Sequence, residues 1–255
     1  MNLLALEFPP ISHLVEWPAI AFRDTVAELN KVGLIYLLAA LVTVLLFTIG
    51  SKRKLVPTGA QNLVEMSLEF VEDGIIMQTI GPDGRKFLPF LTSLFFFIFF
   101  SNLTEVIPFI QFPANSRMAM PATLAILVFF VFNIIGIAKQ GPVHYFKNVL
   151  LPPGVPGFLK PVVALIELVS TFLIRPFSLA VRLFANMLAG HLLLVTFAVL
   201  TAALWVKSPL VAVMPVSFAV LVALTTFEFV VAFLQAFIFT ILTAVYIGGA
   251  MHPEH

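Results

Sequence analysis

Two apolar tracts of about forty residues each, 162–206 and 210–249, constrain this chain more than anything else in its sequence. A helix crosses the roughly 30 Å of bilayer hydrocarbon with about twenty residues, and forty helical residues extend about 60 Å. Each tract is therefore either a tight hairpin or one long, steeply inclined helix. Neither contains a turn cluster: Pro176 follows Arg175, and Gly190 stands alone. Two tilted helices are the expectation, divided at Lys207-Ser208-Pro209. Tilt of that order exceeds ordinary span geometry and calls for a shaped partner to lie against.

Composition agrees with a lipid solvent. Hydrophobic residues make up 60% of the chain and charged residues 11%, which excludes an ordinary soluble domain. The chain contains no cysteine, so disulfides, iron–sulfur clusters and thiolate metal sites are excluded. Its histidines are scattered, which argues against a metal site, and a net charge of +1 argues against nucleic acid. No cofactor is expected. The N-terminal segment lacks a basic region and has prolines where a signal peptide needs its apolar core, so it is expected to be retained.

The fold class expected is an all-α polytopic membrane protein with five spans and one membrane-surface helix, in a single membrane domain over 1–255. Residues 1–31 are mixed and polar, with Glu7, Glu16, Asp24 and Glu28. The first span is placed at 32–50, followed by the basic cluster Lys52-Arg53-Lys54. In 57–80, Glu65, Glu69, Glu72 and Asp73 fall on one helical stripe while Leu63, Val64, Leu68, Val71 and Ile75 occupy other faces. This segment is too charged to cross and is expected to lie on the surface, its acidic face turned to a protein partner or to water. Further spans are placed at 87–110 and 121–138, with a polar loop at 139–160. With Lys52, Arg53 and Lys54 inside, Arg85, Lys86, Lys139, Lys147 and Lys160 fall inside as well, leaving Arg23, Lys31, Arg117 and Lys207 outside. The positive-inside rule thus predicts the N-terminus outside and the C-terminus in the cytoplasm.

Against this apolar background the polar residues stand out. Arg182 lies mid-tract, where a charge costs roughly 2.5–3.5 kcal/mol and needs a partner or a purpose. If the long helices run antiparallel about the break, residues whose numbers sum to about 417 face each other. Arg182 is then level with Gln235, and His191 with Glu228. A His–Glu couple can accept and pass a proton. An arginine stays charged at any accessible pH, so Arg182 can attract a carboxylate or block a cation but relays nothing. Gln235 can hydrogen-bond the guanidinium without neutralising it. Ser178, Ala185 and Ala189 share the face of Arg182, so another backbone can pass close by. Asn186 follows Arg182 by one turn. Arg175 is either part of this set or snorkels to the cytoplasmic surface. Glu167 lines an aqueous cavity or is simply wet, and Asn102 and Glu105 sit near the outer end of their span.

The segments SLAVRLFANMLAGH and FLQAFIFTILTAVYIGGA, together with FFSNLTEVIPFI, resemble the subunit a family of F-type ATP synthases over nearly the whole chain. The resemblance implies a non-catalytic, proton-translocating stator subunit without a nucleotide site; no GxxxxGK[ST] loop is present. It implies a c-ring of proteolipids, peripheral-stalk b-type subunits and the rest of the complex as partners; with no evident transit peptide, a bacterial inner membrane is expected, and an organelle-encoded copy is the alternative. Arg182 corresponds to the arginine facing the ring carboxylate, and Asn186 and Gln235 to its polar neighbours. His191 and Glu228 correspond to two positions that exchange acidic and histidine identities between branches. Asn102 and Glu105 correspond to residues of the proton-uptake half-channel, and Glu167 lies near the acidic position of the release half-channel. Around 115–120, where some relatives have further acidic or amide groups, Arg117 stands instead.

Two other readings fit buried ionisable groups: a secondary transporter binding an anion at Arg182, and a membrane subunit of a redox-driven pump. The chain shows neither the internal symmetry common in the first nor a second Lys–Glu relay for the other.

Overall fold

The computed structural model describes residues 30–50, 59–107, 110–151, 156–205 and 209–251. The acids expected in the 1–31 segment, the 52–54 basic cluster, Lys207 and Ser208 lie outside the described residues. Every described regular element is a helix: α1 (Lys31–Gly50), α2 (Ala60–Val71), α3 (Leu88–Leu103), α4 (Ala119–Gln140), α5 (Pro142–Leu150), α6 (Lys160–Val169), α7 (Arg175–Leu204) and α8 (Met214–Met251). Single π-helical turns follow α2 (Glu72–Ile76) and join α6 to α7 (Ser170–Ile174). Five segments are long and apolar enough to cross a membrane: Lys31–Gly50, Pro82–Leu103, Ala119–Gln140, Gly157–Leu204 and Val211–Met251. The last two contain 48 and 41 residues with no hairpin inside either, so the long tracts are long helices.

Two sequence expectations change. The span placed at 87–110 ends as a helix at Leu103. Thr104 there donates its hydroxyl back to the Ser101 carbonyl, and Pro108 disfavours helical backbone in the residue before it. Within the expected 139–160 loop, Pro142–Leu150 is a helix: Gly141, at φ 79°, closes α4, and Pro142 opens the next helix from a position where its missing N–H is not needed. The surface helix contains a π turn at its acidic end, where Glu72 accepts a 2.7 Å bond from Arg85. With Arg85 two-thirds exposed, that pair contributes little stability.

The chain divides into two compact units, and every boundary but the one at Arg117 falls inside a helix. One comprises Met1–Val42, Phe97–Arg117 and Phe184–Gln235; the other comprises Thr43–Phe96, Met118–Leu183 and Ala236–His255.

In the first unit, Phe99 packs edge-on against Phe229 and Phe233 of α8, and Tyr36 of α1 stacks on Phe97 of α3. The hydroxyls of Thr201 and Ser217 meet at 2.8 Å. Their numbers sum to 418, so α7 and α8 pair in the register expected from the sequence.

In the second unit, Phe70 of α2 touches Phe95 of α3 and Phe237 of α8. The Tyr145 phenol of α5 is fully buried, its pKa raised by that burial against a smaller lowering by Arg175. It donates to Asn133 Oδ1 of α4 at 3.0 Å. Gln140 donates to the Ala250 carbonyl at 2.7 Å and accepts from Asn148, tying α4, α5 and α8 together.

Gly248 is where α8 approaches the end of the surface helix: a Cβ there would fall 2.8 Å from the Thr79 carbonyl oxygen, a backbone atom that cannot swing away. Gly248→Ala is therefore expected to destabilise by about 1–3 kcal/mol, the usual cost of overpacking. A lowered thermal denaturation midpoint of the detergent-purified protein would show it.

Candidate functional site

Most of the polar residues singled out by sequence fall into a buried cluster in the first unit and a half-buried set in the second, while Asn186 is exposed in the first. The buried cluster starts where α3 stops. Asn102 is buried in its last turn, and Glu105, 3% exposed, follows just past it, its N–H bonded to the Asn102 carbonyl at 3.1 Å. A short 3₁₀ turn, Ala114–Ser116, carries Asn115 back against this end. The Asn115 amide donates to Asn102 Oδ1 at 2.6 Å and to Ser101 Oγ at 3.0 Å. Tyr36 of α1 shares its hydroxyl proton between the Ala114 carbonyl (2.8 Å) and Asn115 Oδ1 (2.9 Å). Three separate segments are thus pinned by one amide.

Two atoms in this cluster have no hydrogen-bond partner among the described residues: Asn102 Nδ2 and Glu105 Oε1. Buried polar groups are normally satisfied, and a pair of orphans so close in sequence is the setting that water fills. Glu105 Oε1 lies 3.4 Å from His191 Nδ1 of α7, too far for a good hydrogen bond but within ion-pair range. Register put Glu228 opposite His191; the structure instead sets the Glu228 carboxyl over Gly190, the residue before. A Cβ on Gly190 would overlap that carboxyl. Among the described residues, Glu105, not Glu228, is the acid within ion-pair distance of His191. Gln235 is buried on α8, and Asn186 is exposed on α7.

In the second unit, Arg182 is half-buried and makes no hydrogen bond or ion pair with any described residue. Along α7, Leu179, Ala180, Leu183, Met187 and His191 are buried, while Ala185, Asn186 and Ala189 are exposed. The small-residue stripe shared by Ser178 and Arg182 is therefore on the side of α7 away from its packed face. Arg175 lies over the Tyr246 ring, 5.6 Å from its centroid, so its charge is held on an aromatic face by a cation–π contact. Glu167 is half-buried on α6. Among the described residues no group of three His, Asp or Glu side chains forms a metal site.

Sequence reading missed Tyr36, Ser101 and Asn115 as members of the cluster. The available signal was slight: one tyrosine in an otherwise apolar span, and an Asn-Ser pair beside the Arg117 that drew attention instead. Tyr36→Phe removes the shared donor and leaves Asn115 Oδ1 and the Ala114 carbonyl to find another. A loss of about 1–3 kcal/mol in stability is expected, measured by denaturation of the purified protein, because both acceptors are buried.

The family model described as ATP synthase A chain matches residues 33–248. Among curated relatives, an ATP synthase subunit a from Parafrankia sp. (strain EAN1pec) is 50% identical over 78% of this chain and 68% of its own length. Those of Frankia alni and Rhodococcus erythropolis are 44% and 42% identical, over 94% and 93% of this chain and 83% and 88% of theirs.

Proposed function

The chain belongs to the ATP synthase A chain family, and from that premise we propose that it conducts protons through two offset half-channels to and from carboxylates on a rotating c-ring. It is a multi-pass membrane subunit of the ATP synthase complex. The observation that carries the proposal is the Arg182 guanidinium, without a partner among the described residues, on a small-residue face of a membrane-length helix. A charge so placed is costly unless something outside the chain meets it. A ring carboxylate is the complementary group, and Ser178, Ala185 and Ala189 give a ring helix room to approach.

During synthesis, protons enter from outside along the cluster of Asn102, Asn115, Glu105, His191 and Glu228, with Gln235 and Asn186 as further polar groups of the path. Glu105, His191 and Glu228 carry the exchangeable protons; the Asn115 and Asn102 amides, braced by the Tyr36 hydroxyl, hold the walls, since an amide does not titrate. The ring carboxylate, once protonated, is neutral and turns into lipid at low cost. After nearly a full revolution it releases its proton to the cytoplasmic side near Glu167 and Arg175. Arg182 lies on α7 between Arg175 and His191, favours the ionised carboxylate, and repels protons that would otherwise leak directly across. Each charge crossing 100 mV supplies about 2.3 kcal/mol, so several must pass for each ATP. Peripheral-stalk b-type subunits hold the chain against the ring's torque.

The test is a disulfide. The chain has no cysteine of its own, so Asn186→Cys, one turn from an intact Arg182, can be paired with a cysteine next to the ring proteolipid's membrane carboxylate. Crosslinking in native membranes is expected. Absence of a crosslink in the assembled complex would leave Arg182 facing something other than the ring, and the transporter reading would then gain ground.

A further inference from the structure

We propose that the π-helical turn Ser170–Ile174 is a one-residue register device that brings Glu167, in place of Leu168, onto the helix line of Arg175 and Arg182. The inference rests on the proton-path reading above and adds to it the element that phases the release side.

The backbone carries the argument. The N–H of Arg175 bonds to the carbonyl of Ser170, five residues back, whereas the Ser170 N–H is shared between the carbonyls of Glu167 and of Ile166, its ordinary α partner. Ordinary helix resumes on both sides, so the turn absorbs one residue without advancing the rotation, as π-bulges do. An unbroken α-helix turns about 100° per residue. Glu167, eight positions before Arg175, would then lie about 80° off the arginine's line, and Leu168, seven positions before, about 20° off. Absorbing one residue exchanges them: Glu167 lies about 20° from Arg175, and Arg175 about 20° from Arg182 in the same sense. Acid and two arginines then follow one another at heptad intervals along a single stripe. Without the bulge, a leucine would head that stripe.

The bulge is held in place by packing within its own unit. Phe172 stacks on Phe146 of α5 and meets Phe129 of α4 edge-on. Thr171 beside it is buried, its hydroxyl without a partner among the described residues. Arg175, on the next turn, is anchored over Tyr246. The extra residue therefore cannot slide toward Arg182 without undoing these contacts. Leu173, in contrast, is 64% exposed.

Deletion of Leu173 removes the absorbed residue, and a regular helix then keeps Glu167 in phase. ATP-driven proton pumping by the assembled complex in inverted vesicles is expected to stay within about twofold of the parent. Exchanging Glu167→Leu with Leu168→Glu in the full-length chain moves the carboxylate about 100° around the helix, and pumping is expected to fall about tenfold, as for Glu167→Gln. Glu167→Asp, which keeps the acid and its phase, should recover part of the loss. The proposal is overturned if the deletion variant assembles but pumps no better than Glu167→Gln, or if the exchange variant pumps normally. Should the deletion prevent assembly, the length-preserving exchange decides alone. Arg182→Ala in the same vesicles separates the two levels. If it pumps normally, the proton-path reading itself fails; if it is inactive while the exchange pumps normally, only the register proposal fails.

Discussion

Arg182→Ala is expected to abolish ATP synthesis in membrane vesicles, by about 10²-fold or more, while leaving the complex assembled. The guanidinium has no partner among the described residues, so its removal strands no described acid and should cost little stability. On the proposed mechanism, what would disappear is the fixed charge that favours an ionised ring carboxylate and excludes a second proton. Vesicles carrying the variant should also dissipate an imposed pH gradient faster, read by a pH-sensitive dye. Arg182→Lys is not expected to rescue, because an ammonium loses the planar fork that engages a carboxylate with two parallel bonds. Normal synthesis by Arg182→Ala would remove Arg182 from the mechanism.

Glu228→Gln is expected to slow proton uptake by about tenfold, through loss of an exchangeable proton on the uptake side. The position of its carboxyl over Gly190 adds a second route to the same defect. A methyl group on Gly190 would overlap the carboxyl, so Gly190→Ala should mimic Glu228→Gln without removing any titratable group. Placed on Glu228→Ala, Gly190→Ala should add nothing further, the non-additivity expected of two residues that share one space. Exchanging His191→Glu with Glu228→His should restore more activity than either single change. The two remain neighbours along the α7–α8 register even though Glu105 is the acid nearest the imidazole. If Gly190→Ala impairs the Glu228→Ala protein as strongly as it does the parent, the close packing of Gly190 on Glu228 is not the cause.

Much of the fold could be read from the chain because bilayer physics leaves few choices. Apolar runs of known length must be helices, so five spans and a surface helix follow from hydropathy and the acidic stripe alone. The register of α7 against α8 was legible for a related reason. Polar groups in hydrocarbon must sit level with one another, and a break at 207–209 sets where the helices fold back. The Thr201–Ser217 and Gly190–Glu228 contacts fall where that rule places them. What escaped the sequence was local. Helix periodicity could not reveal that α3 would stop at Leu103, that Asn115 would return to pin Asn102, or that one residue would be absorbed at 170–174.

By itself, then, the sequence determined the solvent, the number of spanning helices, the antiparallel register of the long pair and the residues able to carry charge or protons. Those properties follow from hydrophobicity and spacing, which act along the chain. Only the tertiary structure decided which acid meets His191, which tyrosine and amide complete the buried cluster, that Arg182 has no partner among the described residues, and which side chain heads the arginine stripe. Each of these depends on where a helix ends or slips by one residue. Such events are settled by packing between segments far apart in sequence, and no one-dimensional pattern records them.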